Sequence, residues 1–171
     1  MLYNMPKVIL IAALSADGYI SQSKDQVSTS WTNKEDKKFF VETTKKIGTV
    51  IMGSATYETF NTPLKERRNI VLSKTKTYPG VEMSRESPKE LLERLENEGV
   101  ASVALCGGAS VYTSFLKEGL VDTLYLTVGN ILFGQGITLC TEILETHLKL
   151  VSSTTLGENT VLLEYSVIKT I

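Results

Sequence analysis

Branched and apolar residues gather in five short runs, at residues 7–14, 49–52, 69–73, 102–106 and 123–128, and these predict β-strands. Several runs, Val8-Ile9-Leu10-Ile11-Ala12-Ala13-Leu14 above all, are apolar at consecutive positions, the pattern of a strand covered on both faces. The stretches between them repeat at helical spacing. A helix is predicted from a cap at Thr32 or Asn33 to Lys46, with Thr32 and Glu35 spaced as a capping box and Phe39, Phe40 and Ile47 on one face. Ser87-Pro88-Lys89-Glu90 starts a second helix, with Leu91, Leu92 and Leu95 as its core stripe and Gly99 as its stop. A third covers residues 109–118, buried through Val111, Tyr112, Phe115 and Leu116 and ended by Gly119. Strand and helix in alternation predict an α/β fold, a mostly parallel sheet with helices on both faces. The tail breaks the rhythm: residues 148–154 and 160–168 flank Gly157-Glu158-Asn159 and predict an antiparallel hairpin.

A chain of 171 residues, 42% hydrophobic and 22% charged, suits one globular domain over 1–171 with one core. The formal net charge of -1 gives no basic surface for nucleic acid or an anionic membrane, so any anion must meet a local site. The apolar opening at residues 8–14 is far shorter than the roughly 20 residues of a membrane span, and it makes a poor signal peptide, so a cytoplasmic protein is expected. Cys106 and Cys140 lack metal-ligand spacing, no metal site is expected, and both read as thiols packed in the core. His147, the one histidine, has no partner near it in sequence for a catalytic triad.

Ligands of mostly parallel sheets collect at the carboxyl ends of the strands, and four such ends carry unusual chemistry. The first is Ser15-Ala16-Asp17-Gly18-Tyr19-Ile20, turn chemistry from which a lid can begin. The second, Met52-Gly53-Ser54-Ala55-Thr56-Tyr57, exposes backbone amides at a helix start. The third, Ser73-Lys74-Thr75-Lys76, brings hydroxyls and cations suited to phosphate. The fourth, Cys106-Gly107-Gly108-Ala109-Ser110, places two glycines directly before a helix, where backbone approaches a pyrophosphate closely. Together they predict a site for an extended, phosphate-bearing ligand.

In their order these segments resemble the dihydrofolate reductase superfamily, including the C-terminal reductase domain of the bifunctional riboflavin-pathway deaminase-reductase, over nearly the whole chain. Leu10 to Leu14 with Asp17 and Ile20 is similar to the family's first strand and the lid over the nicotinamide. Val50-Ile51-Met52-Gly53 with Thr56 and Tyr57 is similar to its Met-Gly-Arg-x-Thr-aromatic motif. Asn69 to Ser73, Gly107-Gly108 with Val111-Tyr112, Leu124 to Thr127 and Phe133-Gly134-Gln135-Gly136 complete the order.

The resemblance implies an NADPH-dependent reductase. Ala13, Asp17, Ile20, Gly53, Ser54, Ala55 and Thr56 would line the cofactor, Gly107, Gly108, Ala109, Ser110 and Val111 would hold its pyrophosphate, and Leu72, Ser73 and Lys74 would flank its adenosine end. Ala12, Trp31, Phe40, Tyr112 and Thr127 would border the substrate, and Asp36 would be the acid that hydrogen-bonds an amino-pyrimidine edge and assists protonation. Ser54 stands where many dihydrofolate reductases carry an arginine for the 2'-phosphate, which leaves Lys74 and Ser73, then Lys76 or Arg85, to receive it. Ser28-Thr29-Ser30-Trp31-Thr32 is similar to the riboflavin-type reductases. That makes a ribosylaminopyrimidine phosphate, as in 5-amino-6-(5-phosphoribosylamino)uracil reductase, the leading substrate. Dihydrofolate comes second, and a nucleotide- or pterin-binding protein without turnover third. The tail alternates Leu148, Leu150, Val161, Leu163, Tyr165 and Val167, an apolar edge that predicts a homodimer.

Overall fold

The computed structural model describes residues 5–169; residues 1–4 and 170–171, the ends of the expected domain, lie outside the described residues. In chain order the elements are β1 (Lys7–Leu14), β2 (Tyr19–Ser21), α1 (Lys34–Ile47), β3 (Thr49–Gly53), α2 (Ser54–Phe60), β4 (Arg68–Leu72) and β5 (Glu82–Ser84). They continue with α3 (Pro88–Asn97), β6 (Ser102–Leu105), α4 (Ala109–Lys117), β7 (Thr123–Val128), β8 (Ile137–Thr138), β9 (Leu148–Leu156) and β10 (Thr160–Val167). Eight strands form one sheet in the order β5-β4-β3-β6-β1-β7-β10-β9, and β2 pairs with β8 apart from it. The pairs from β5 to β7 are parallel, while β10 runs antiparallel to both β7 and β9. The fold is therefore α/β with the mostly parallel sheet and terminal hairpin that the sequence predicts.

Consecutive apolar residues in the central strands are explained by a core on each face. Val8, Leu10 and Ala12 of β1 point to the side covered by α3 and α4, with Leu91, Leu92, Leu95, Val111 and Phe115. Ile9 and Ile11 point to the side of α1 and α2, with Tyr57, Phe39 and Phe40. Leu91, Leu92 and Leu95 are essentially inaccessible, and each such leucine contributes about 2 kcal/mol of burial. The capping box expected at Ser87 forms: its hydroxyl accepts from the Glu90 amide, and the Glu90 carboxylate accepts from the Ser87 amide. No helix among the described residues is long and apolar enough to cross a membrane.

Two local expectations are corrected. The box expected from Thr32 and Glu35 does not form, because Asn33 is the residue that caps α1. Its Oδ1 accepts from the Asp36 amide at 2.8 Å while its Nδ2 donates to Thr160 Oγ1 at 2.8 Å, so one amide engages both the helix start and the hairpin. The apolar alternation of the tail also divides between core and surface. Leu163, Tyr165 and Val167 of β10 pack on the core, whereas Leu148, Leu150 and Val151 of the edge strand β9 are exposed.

Candidate active site

The connections around the sheet fix where a ligand can sit. The chain leaves β1 and β3 toward α1 and α2 on one face, but leaves β6, which lies between those strands, toward α4 on the other. Loops diverging to opposite faces open a crevice at the carboxyl ends of β3, β6 and β1, the place where α/β sheets take ligands. At its centre the Gly53 amide donates to Gly107 O at 2.8 Å, tying the end of β3 to the turn after β6.

That turn is shaped for close approach. The Gly107–Gly108 peptide is cis, and Gly107 has φ +118, so a side chain there would be strained and would meet Thr56 Oγ1 at 3.1 Å. Gly108 has an ordinary backbone, but a Cβ on it would lie 3.3 Å from the same hydroxyl. No side chain caps α4 at Gly108, unlike α1 at Asn33 and α3 at Ser87. The amides of Ala109, Ser110 and Val111 are thus left at the positive end of the helix, the arrangement that receives a phosphate. The Val111 side chain is buried and packs toward Gly53, where a Cβ would meet its Cγ2 at 3.2 Å. The α2 start at Gly53, Ser54 and Ala55 is likewise uncapped, although that helix runs only seven residues.

Asp36 lies in the first turn of α1 at 8% exposure, and its Oδ1 accepts from the Thr127 hydroxyl of β7 at 2.6 Å. Thr127 stands opposite Ala13 in the β1–β7 register, which brings the carboxyl group to the end of the central strand. Oδ2 accepts no hydrogen bond among the described residues and remains for a ligand. Two buried donors nearby in sequence, Trp31 Nε1 and Thr32 Oγ1, lack partners among the described residues. Trp31 sets its ring edge-on to Phe133, with centroids 5.3 Å apart, and a Cβ on Gly129 would touch it at 3.3 Å.

Other expected site residues act through the protein instead of presenting side chains. The Asp17 carboxylate accepts from Ser15 Oγ at 2.6 Å and from the Phe133 and Gly134 amides at 3.1 and 2.7 Å. These bonds, the serine hydroxyl first, hold its carboxyl down at about 2 and pin the loop after β1 to the loop before β8. Ile20 lies on β2 within this clamped lid. Tyr112 spends its hydroxyl on Ile11 O at 2.7 Å beneath the glycine turn, and burial pushes it well above the usual phenol range, so it remains a donor. The Ala12 side chain is packed in the core under α4, and Phe40 stacks on Phe60 of α2 at 6.3 Å. Burial pushes the Cys106 thiol up to about 12, which leaves no thiolate at neutral pH.

At the far end of the crevice, beyond Gly53 and its register partner Leu72, lie Ser54, Ser73 and Lys74, with Lys74 exposed and in no ion pair among the described residues. Glu58 and Tyr78, which sequence reasoning passed over, join them with Lys76: Glu58 Oε1 accepts from both Lys76 Nζ and Tyr78 Oη at 2.7 Å. The one signal in the sequence for Glu58 is that it follows Ser54 by a helical turn. A separate groove lined by Pro63, Arg67 and Val81 lies at the opposite, amino-terminal end of β4 and brings together none of these groups.

Comparison with known proteins agrees with this fold. The chain is 28% identical to the Bacillus subtilis protein YwjB over 164 residues, covering 89% of this chain and 93% of the relative. Among solved structures, the Thermotoga maritima diaminohydroxyphosphoribosylaminopyrimidine deaminase/5-amino-6-(5-phosphoribosylamino)uracil reductase superposes with a TM-score of 0.79 at 20% identity, over 96% of this chain and 57% of that one. Enterococcus faecalis dihydrofolate reductase, complexed with NADP(H), superposes with a TM-score of 0.73 at 25% identity, over 98% and 100% of the two chains. The family model of the RibD C-terminal domain matches residues 6–162. With that match running from β1 into β10, the chain belongs to the RibD C-terminal domain family.

Proposed function

We propose that the protein is an NADPH-dependent reductase of a pyrimidine- or pteridine-type heterocycle, with a ribosylaminopyrimidine phosphate as the leading substrate. The observation that carries this reading is Asp36, a buried carboxyl group fastened at one oxygen by Thr127, free at the other, and set at the end of the central strand beside the crevice. The cofactor fits the donor set there. Unspent amides of Ala109 to Val111 suit its pyrophosphate, and the space over Gly107 and Gly108 is one that a Cβ would fill. Ala13, Ile20 and Thr56 would border its nicotinamide, and Leu72 to Lys74 its adenosine end.

Bound reduced nicotinamide supplies a hydride. The chain's own groups supply orientation and a proton path. Asp36 Oδ2 accepts from a ring N–H or amino group and fixes the heterocycle, and in its protonated form it delivers a proton to the heteroatom beside the reduced carbon. Thr127 restricts Asp36 to one orientation. Trp31, Phe133 and the lid held by Asp17 keep water from the reacting face.

The proposal extends to a cytosolic homodimer that acts on a small molecule and engages neither nucleic acid nor membrane. Support for the dimer comes from β9, whose outer edge pairs with no strand among the described residues and whose Leu148, Leu150 and Val151 are exposed. The test of function is NADPH oxidation followed by absorbance with a ribosylaminopyrimidine phosphate and with dihydrofolate. Turnover of the pyrimidine supports the leading substrate, and turnover of dihydrofolate alone reassigns it. Tight NADPH binding without oxidation by either would sink the enzyme reading in favour of a binding protein.

A further inference from the structure

The far end of the crevice bears on which nicotinamide dinucleotide the site takes, an inference that rests on the reductase reading. The carboxyl ends follow the sheet order β1, β6, β3, β4. A dinucleotide with its pyrophosphate at Gly107–Gly108 and its reactive ring toward Ala13 must send its adenosine over the ends of β3 and β4. The rim there holds Ser54, Glu58, Ser73, Lys76 and Tyr78. The Ser73 hydroxyl accepts from the Lys76 amide at 2.9 Å, which fixes the turn after β4. Glu58 Oε1 accepts from Lys76 Nζ and from Tyr78 Oη, and the Tyr78 ring rests on buried Tyr57 with centroids 4.7 Å apart.

We infer that Glu58 is the residue that narrows selectivity for the 2'-phosphorylated dinucleotide, because it neutralises Lys76 and presents its own carboxylate where the 2'-phosphate must arrive. A 2'-phosphate meets a like charge and has to take Lys76 from its partner, whereas a ribose 2'-hydroxyl meets an acceptor. The lysine ammonium, then the tyrosine hydroxyl, hold the Glu58 carboxyl below the usual carboxylate range, so the opposing charge is present at neutral pH. Lys74 and Arg85 are exposed at the ends of β4 and β5 and pair with no acid among the described residues. They remain to attract the phosphate, and Glu58 works against them.

Equilibrium titration of the full chain with NADPH, NADH, adenosine 2',5'-bisphosphate and adenosine 5'-diphosphate reads this directly. Glu58→Gln is expected to tighten NADPH and the 2',5'-bisphosphate by about tenfold, the scale of one charge-assisted contact, and to leave NADH and the 5'-diphosphate within about twofold. Adding Lys76→Ala to Glu58→Gln should cancel the gain. Equal gains for both dinucleotides, no gain, or a gain that survives Lys76→Ala overturns the assignment while leaving the reductase reading intact. A wild-type chain that binds neither dinucleotide overturns the reductase reading, and this assignment with it.

Discussion

Replacing Asn33 tests how the candidate acid is held. Asn33→Ala removes the cap on the Asp36 amide and the bond from Nδ2 to Thr160 Oγ1, both 2.8 Å, together with a longer one from Nδ2 to Leu156 O. Loss of an N-cap costs about 1 kcal/mol. Loss of the second bond costs about 1 kcal/mol more, since Thr160 is 4% exposed and water does not readily replace the donor. The expected total is about 2 kcal/mol, or roughly 4–8 °C in Tm for a chain of this size. Asn33→Asp separates the parts. It keeps an acceptor for the Asp36 amide and adds negative charge at the helix start, but it gives up the donor and turns an oxygen toward Leu156 O, now 3.4 Å from Nδ2. It should cost about 1 kcal/mol or less. Urea and thermal unfolding of the three proteins read both values. An alanine variant within about 0.5 kcal/mol of wild type would show that neither contact carries energy, and an aspartate variant as damaged as the alanine would refute the contribution assigned to the cap on the Asp36 amide.

Four other outcomes are expected. Asp36→Asn should lower turnover by about 10²-fold or more with cofactor affinity nearly unchanged, and unaltered turnover would return Asp36 to a packing role. Gly108→Val should fold, because its backbone angles are open to any residue, yet lose nucleotide binding as the side chain crowds Thr56 and covers the α4 amides; normal NADPH binding would refute the turn's role. Asp17 should titrate by carbonyl NMR near 2 instead of its ordinary 3.8. Its folded value lies below the unfolded one, so the lid clamp is complete above about pH 4 and is lost as pH falls through about 2, and a midpoint near 4 would refute the clamp. Light scattering at micromolar concentration should give twice the 18.9 kDa chain mass, and a monomer would remove the dimer proposal.

The parts of the fold that announce themselves in the sequence are those whose stability is local or written in a long apolar run. Residues 7–14 form β1 with the predicted bounds, and Ser87-Pro88-x-Glu90 starts α3 as its chemistry requires. The two- and three-residue strands β2, β5 and β8 carry no such run and exist through pairing with distant segments, such as Tyr19 with Thr138. The site divides in the same way. Gly107-Gly108 is conspicuous because small residues before a helix are a local pattern, whereas Asp36, one of several charges at the start of α1, is singled out by the resemblance to the dihydrofolate reductase superfamily. Asp17 is conspicuous too, but the amides that engage its carboxylate belong to Phe133 and Gly134, far along the chain, so its turn alone suggested a ligand contact. Asn33 was chosen over Thr32 by Thr160, another remote residue, and local spacing cannot reveal that choice.

The position of β1 in the sheet has a consequence for biosynthesis. It is one of the two middle strands of the eight-stranded sheet, and its strand partners are β6 and β7, whose residues begin at Ser102 and Thr123. A chain emerging from the ribosome therefore presents Val8-Ile9-Leu10-Ile11-Ala12 long before either neighbour exists, while β3, β4 and β5 can already pair among themselves. Closure waits for β6 to insert between two segments made much earlier, a late step of high contact order. Until then the most apolar stretch of the molecule is an unpaired strand, the kind of surface that holdase chaperones cover and that drives aggregation when they are scarce.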